Sequence, residues 1–154
     1  MKIRKRFRDW YLKMELERKV PVRGFNSKLQ DGSHVLMWDF DHATLDGVLD
    51  CLEQVQLEFQ LPSITVLESK KERNYHAICF QRNNFAHAAY ILASTEGVDQ
   101  VFVGLGFWRG YWTLRYTSKG KGMPQTLALL PGYKLPDADP DDITTEVEYL
   151  AKVK

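Results

Sequence analysis

Cysteine is scarce: 154 residues hold two, Cys51 and Cys79. Both fall inside predicted elements, which argues against a disulfide framework or a zinc site and suits buried thiols in a reducing compartment. No apolar stretch approaches the ~20 residues of a membrane-spanning helix. The basic start Met1-Lys2-Ile3-Arg4-Lys5-Arg6 leads into no apolar segment, so no secretory signal is expected and the expected location is cytoplasmic, with no membrane partner. Acids are missing from residues 100–136, which carry five Lys/Arg.

What is present is an ordinary globular composition, 44% hydrophobic and 27% charged, with length enough for one compact domain and its core. The net charge of +1 hides segregation. Residues 1–28 hold ten Lys/Arg against three acids, and the tail 137–154 holds six acids against two lysines. That asymmetry points to a polyanionic partner.

Phe7, Trp10, Tyr11 and Met14 fall at helical spacing among Arg and Lys, predicting a basic amphipathic helix over 4–19, stopped by Pro21. Residues 23–33 read as loop and 35–41 as a strand. Leu45, Val48, Leu49, Leu52, Val55 and Phe59 form one helical stripe over 44–60, with Thr44 as its cap. Ser63 to Glu68 and Asn74 to Phe80 read as a hairpin. Asn84 opens a helix that Gly97 ends. Strands follow over 99–107 and 111–118, with a short one over 126–130, and the acidic tail turns briefly helical from Thr144.

The expected fold is therefore α+β, an RRM-like or ferredoxin-like β-α-β-β-α-β core with an additional strand and a basic N-terminal helix. It is expected to form one domain: helix and loop over 1–30, core over 31–136, acidic tail over 137–154.

The most apolar run, Val35-Leu36-Met37-Trp38, ends in Asp39-Phe40-Asp41. Two carboxylates two residues apart on a strand share a face, about 7 Å apart. Like charges delivered together call for neutralisation, and a divalent metal with oxygen ligands supplies it. The plainer reading puts Asp39 at a solvated strand end and Asp41 before a helix. In the expected sheet, His76 on the third strand neighbours the Asp pair, and Arg115 and Lys119 supply permanent cations for phosphate. The plainer reading of His76 is a satisfied histidine on a half-buried strand.

Trp38-Asp39-Phe40-Asp41, then Asn74-Tyr75-His76 after Glu68-Ser69, then Gly110-Tyr111-Trp112-Thr113-Leu114-Arg115 with Lys119 resemble the archaeo-eukaryotic primase superfamily, in particular its plasmid and phage primase-polymerases. The likeness spans roughly residues 33–121, in short motifs whose order and strand context carry it. It implies a DNA primase or polymerase, a replication nucleotidyltransferase that joins nucleoside triphosphates on single-stranded DNA or RNA, with a helicase or other replication subunit as a further partner. It further implies Mg²⁺ or Mn²⁺ at Asp39 and Asp41, with Asp99 as the third acid, and catalytic Asp39, Asp41 and His76. His76, Arg115 and Lys119 would then bind the triphosphate. Arg4, Lys5, Arg6, Arg109 and Trp112 are candidates for nucleic-acid contact, with Trp108, Tyr111 and Trp112 as bases' stacking partners. Asn74 stands where relatives carry serine, and Asp99 precedes a predicted strand.

Three rivals remain. One is a catalytically inactive RRM-like single-stranded nucleic-acid binder, since residues 73–80 partly fit the RNP1 pattern. The Asp pair beside it would repel phosphate. Another is a haloacid-dehalogenase-type phosphatase, which wants Thr where Ala43 stands, and a doubly wound sheet. The last is a protein-interaction domain that docks an acidic partner through the basic helix.

Overall fold

The computed structural model describes the backbone of residues 2–7, 10–15, 19–118 and 122–152, and side chains over 19–118 and 122–150. Lys119 lies outside the described residues. The chain is mixed α+β. Its main sheet has four antiparallel strands in the order β4-β6-β5-β8: β4 is His34–Asp41, β5 Ile64–Lys70, β6 Asn74–Asn83 and β8 Gln125–Leu130. A second sheet has the order β7-β3-β9, from Thr113–Arg115, Lys19–Asn26 and Glu146–Lys152. Between β4 and β7 the chain runs β4, α1 (Leu45–Phe59), β5, β6, α2 (Phe85–Ser94), α3 (Gln100–Arg109), β7. That keeps the ferredoxin-like order, and β7 packs beside β4 while bonding to β3. A parallel, doubly wound sheet, which the phosphatase reading needs, is not what these strands build.

The strand run 34–41 is almost wholly buried because both its faces are covered. Leu36, Trp38 and Phe40 face the helices: the Trp38 indole N–H donates to Thr95 Oγ1 at 2.9 Å, at the end of α2. Met37 and Asp39 face the other way, toward the second sheet, where Phe25, Leu114, Tyr116 and Ile143 lie across from Met37 and Ile78. Helix α1 buries Val48, Leu52 and Val55, and Thr44 caps it by accepting from the Gly47 N–H. Asn84 caps α2 in the same way, through the His87 N–H. Both caps satisfy backbone donors that the first helical turn leaves without partners.

Four expectations are corrected. The described residues of the expected helix over 4–19 are strands instead: Lys2–Phe7 and Trp10–Glu15 pair as antiparallel β1 and β2. The sequence carries both periods there, since Trp10, Leu12 and Met14 also alternate every second residue. The predicted loop begins inside β3, whose Pro21 is tolerated because β7 covers only Gly24–Asn26 and leaves that flank open. Residues 99–107 fold as α3 rather than a strand. Asp99 caps it by accepting from the Val101 N–H, and Val103 and Gly106 form its buried side, at a helical interval. The tail turns in a short 3₁₀ segment at Pro140–Asp142 and then forms β9, not a helix.

Candidate active site

The antiparallel register of β4 on β6 sets Asp39 opposite His76 and Asp41 opposite Asn74. Opposed residues in such a ladder share a face, so all four project from one side of the sheet. His76 is buried, and its Nε2 stands 3.6 Å from Asp39 Oδ1; the Asp39 side chain keeps 26% of its surface exposed. The expected meeting of the first and third core strands therefore holds at the level of side chains. Asn74 Oδ1 is buried and accepts no hydrogen bond. An acceptor without a donor, next to Asp41 and near Asp39, is a donor set of oxygens that suits a hard divalent cation. Among the described residues no three His, Cys, Asp or Glu side chains converge to hold an ion by themselves. An ion here would complete its shell with water and substrate oxygens, the habit of Mg²⁺.

Asp99 reaches the same place by its backbone: its N–H donates to the Asp39 carbonyl at 2.8 Å. Its carboxylate accepts from the Val101 N–H at 2.9 Å as the cap of α3. The acid expected at a strand start thus has a helix-capping role, while lining the same cleft as Asp39.

That cleft, about 210 Å³, lies between β4, α3, β7 and β9, and Arg109, Tyr111, Thr113 and Tyr149 also border it. Trp112 and Thr113 also line it, and their Nε1 and Oγ1 atoms are buried without hydrogen-bond partners. Compared with known proteins, the chain matches no family model, no curated protein and no solved structure.

Arg115, on β7, is half-buried. Its guanidinium donates to the carbonyls of Ser69 and Thr117. Burial lowers its pKa from the ordinary value, while Tyr149 and Asp39 oppose that shift. It lines a second cavity, of about 230 Å³, together with His76. So Arg115 and His76 are brought together, between the two sheets and next to Asp39.

Other candidates separate. Arg109 is exposed at the last turn of α3 and borders the cleft. Trp112 is corrected from a base-stacking surface to core: it is 1% exposed and stacks on Phe85 at 5.2 Å between ring centroids. Arg4, Lys5 and Arg6 belong to β1, and their side chains lie outside the described residues.

Tyr149 was missed by sequence reasoning. Burial pushes its phenol pKa up and Asp39 adds to that, while Arg115 and Arg109 pull it down. One aromatic in an acidic tail gave no signal; only the pairing of Tyr149 with Val22, across β9 and β3, delivers it to the cleft.

Proposed function

We propose that this chain is a metal-dependent nucleotidyltransferase of the primase-polymerase type, joining nucleotides on a single-stranded DNA template in replication. The observation that carries the reading is the β4–β6 register, which sets Asp39 against His76 and Asp41 against Asn74, whose side-chain Oδ1 accepts no hydrogen bond. Asp39, Asp41 and Asn74 supply the oxygens for Mg²⁺ or Mn²⁺. Such an ion, when bound, polarises the phosphoryl group and neutralises its charge. His76, held in place by burial with its Nε2 3.6 Å from Asp39 Oδ1, is placed to donate to a phosphate oxygen. Arg115 contributes fixed positive charge behind that face, and Arg109 contributes it at the rim, where nucleoside triphosphate enters. A helicase or other replication subunit is the expected further partner.

The non-catalytic RRM-like reading is less well supported. An RRM stacks bases on its open sheet face. Here that face lies under β3 and β7, and His76 on it is 5% exposed, while the neighbouring Tyr75 points to the helix side opposite Phe40.

The test is primer synthesis and extension on single-stranded DNA, with Mn²⁺ or Mg²⁺ and labelled NTPs or dNTPs. Product is expected with the wild-type chain and none above background with Asp39→Ala or Asp41→Ala, each keeping its thermal unfolding midpoint. Equal incorporation by the variants and the wild type would sink the reading.

A further inference from the structure

Helix α3 has one charged residue in ten, Arg109 at its end. Val101, Leu105 and Trp108 fall at i, i+4 and i+7, and they are 67%, 41% and 83% exposed. Spacing of that kind places them on one side of a helix, along about 10 Å of axis. Phe107, 51% exposed, extends the apolar surface toward the Phe85 and Trp112 rings it meets edge-on. A helix of this composition normally buries such a stripe, and a contiguous exposed one marks a partner. No described residue covers it.

The chemistry around the stripe selects the partner. Val101, Leu105 and Arg109 form one wall of the cleft that holds Asp39, so whatever lies on α3 leads into that cleft. Arg109 closes the last turn of the stripe, and α3 carries no acid of its own from residue 100 to 109, a local charge that attracts a polyanion. An exposed indole beside a guanidinium offers a stacking face and a phosphate contact one residue apart. We infer that α3 is the platform for single-stranded nucleic acid, with a base stacked on Trp108, the adjacent phosphate on Arg109, and the strand leading past Leu105 toward Asp39. The inference rests on the primase-polymerase reading for its direction into the cleft, and on α3 itself for the binding.

Fluorescence anisotropy with a labelled oligo(dT) of about 20 nucleotides tests it on the full chain, across a salt series. Trp108→Ala should weaken binding roughly 10- to 100-fold, the usual cost of one lost base stack, and Trp108→Phe should restore most of it. Arg109→Ala should lower the salt slope by about 0.7, the value for one phosphate on a single strand. Trp108 is 83% exposed, so its variants should unfold at the wild-type temperature, checked by circular dichroism.

Wild-type affinity in Trp108→Ala would overturn the inference, as would no oligonucleotide binding by the wild type at low salt. A wild-type dimer that Trp108→Ala converts to monomer, with DNA affinity unchanged, would assign the stripe to a second copy instead. Asp39→Ala separates the two proposals. If it abolishes synthesis while Trp108→Ala binds normally, the platform fails and the enzyme stands. If no variant or wild type synthesises but Trp108→Ala loses binding, the enzyme fails and the platform stands.

Discussion

His34 shows how a single buried side chain ties stability to pH. It lies at the start of β4, 3% exposed, with its ring edge-on to Phe85 and Trp112. Ser27 Oγ accepts from the Trp112 backbone N–H at 3.1 Å and stands 3.2 Å from His34 Nδ1. The hydroxyl proton is therefore free to go to Nδ1, which suits a neutral ring. Burial lowers the His34 pKa from 6.5, and Lys28 adds to the shift. A histidine with a depressed folded pKa binds its proton more readily unfolded, so its contribution is intact above about 6.5 and is lost as pH falls below it. Urea midpoints should fall between pH 7.5 and pH 5 more steeply for the wild type than for His34→Gln. Parallel curves would show that other groups set the dependence. Single residues were partly legible from the sequence: the Thr44 cap and the helix start at Asn84 follow from local patterns, and the Asp39–His76 meeting follows from the expected strand order. Trp112 was not, because an aromatic in a mixed segment reads the same whether it is stacked in the core or open to a base.

Helix α3 is the element where tertiary packing overruled local preference. Val101-Phe102-Val103 favours a strand by composition, yet the segment is helical, because Asp99 caps it and Gly106 lets it lie directly on Trp112. A Cβ at Gly106 would stand 1.9 Å from the indole Nε1 and 2.2 Å from Cδ1. Alanine gains up to about 1 kcal/mol of helix propensity over glycine. Overpacking against a buried ring costs typically 1–3 kcal/mol, more where neither partner yields, and Trp112 has nowhere to go. Gly106→Ala should therefore destabilise by up to roughly 2 kcal/mol net in urea unfolding. A gain in stability would mean that the ring moves aside at little cost. The glycine was visible in the sequence, but the ring it accommodates was not assigned to it. Over 4–19 the difficulty is different: helical and alternating spacings coexist, and the antiparallel partner that decides between them is itself part of the same ambiguous segment.

Across the whole molecule, the acidic segment is an integral part rather than an appendage. Arg82 on β6 bonds Asp31 at 2.7 Å and Asp142 at 2.6 Å, and its backbone N–H donates to the Asp137 carboxylate at 2.6 Å. Those pairs are partly exposed, and exposed ion pairs contribute little each. The weight rests on β9, which pairs with β3 from Lys19↔Lys152 to Phe25↔Glu146, with Val22 buried beside it. Deleting residues 145–154 strips β3 of that neighbour and removes Tyr149 from the cleft. It should cost several kcal/mol, a large share of the ~5–15 kcal/mol typical of a domain, read as a lowered unfolding midpoint or an insoluble product. A truncated chain that melts like the full one would return β9 to the status of a tail. Nothing in the local sequence predicts such a pairing. Long-range partners are set by which edges the other elements leave open, and the charge pattern of 137–154 pointed toward solvent.

The β3–β9 pairing also fixes when the second sheet can close during synthesis. The chain emerges from its N-terminus, so β3 leaves the ribosome more than a hundred residues before its partner strand does. Main-sheet strands β4, β5 and β6, with α1 and α2, are available to fold while β3 still has an open flank. The second sheet closes last, and with it comes Tyr149, the final wall of the cleft beside Asp39. A nascent chain stalled short of β9 would carry Asp39, His76 and Arg115 beside an unfinished cleft wall.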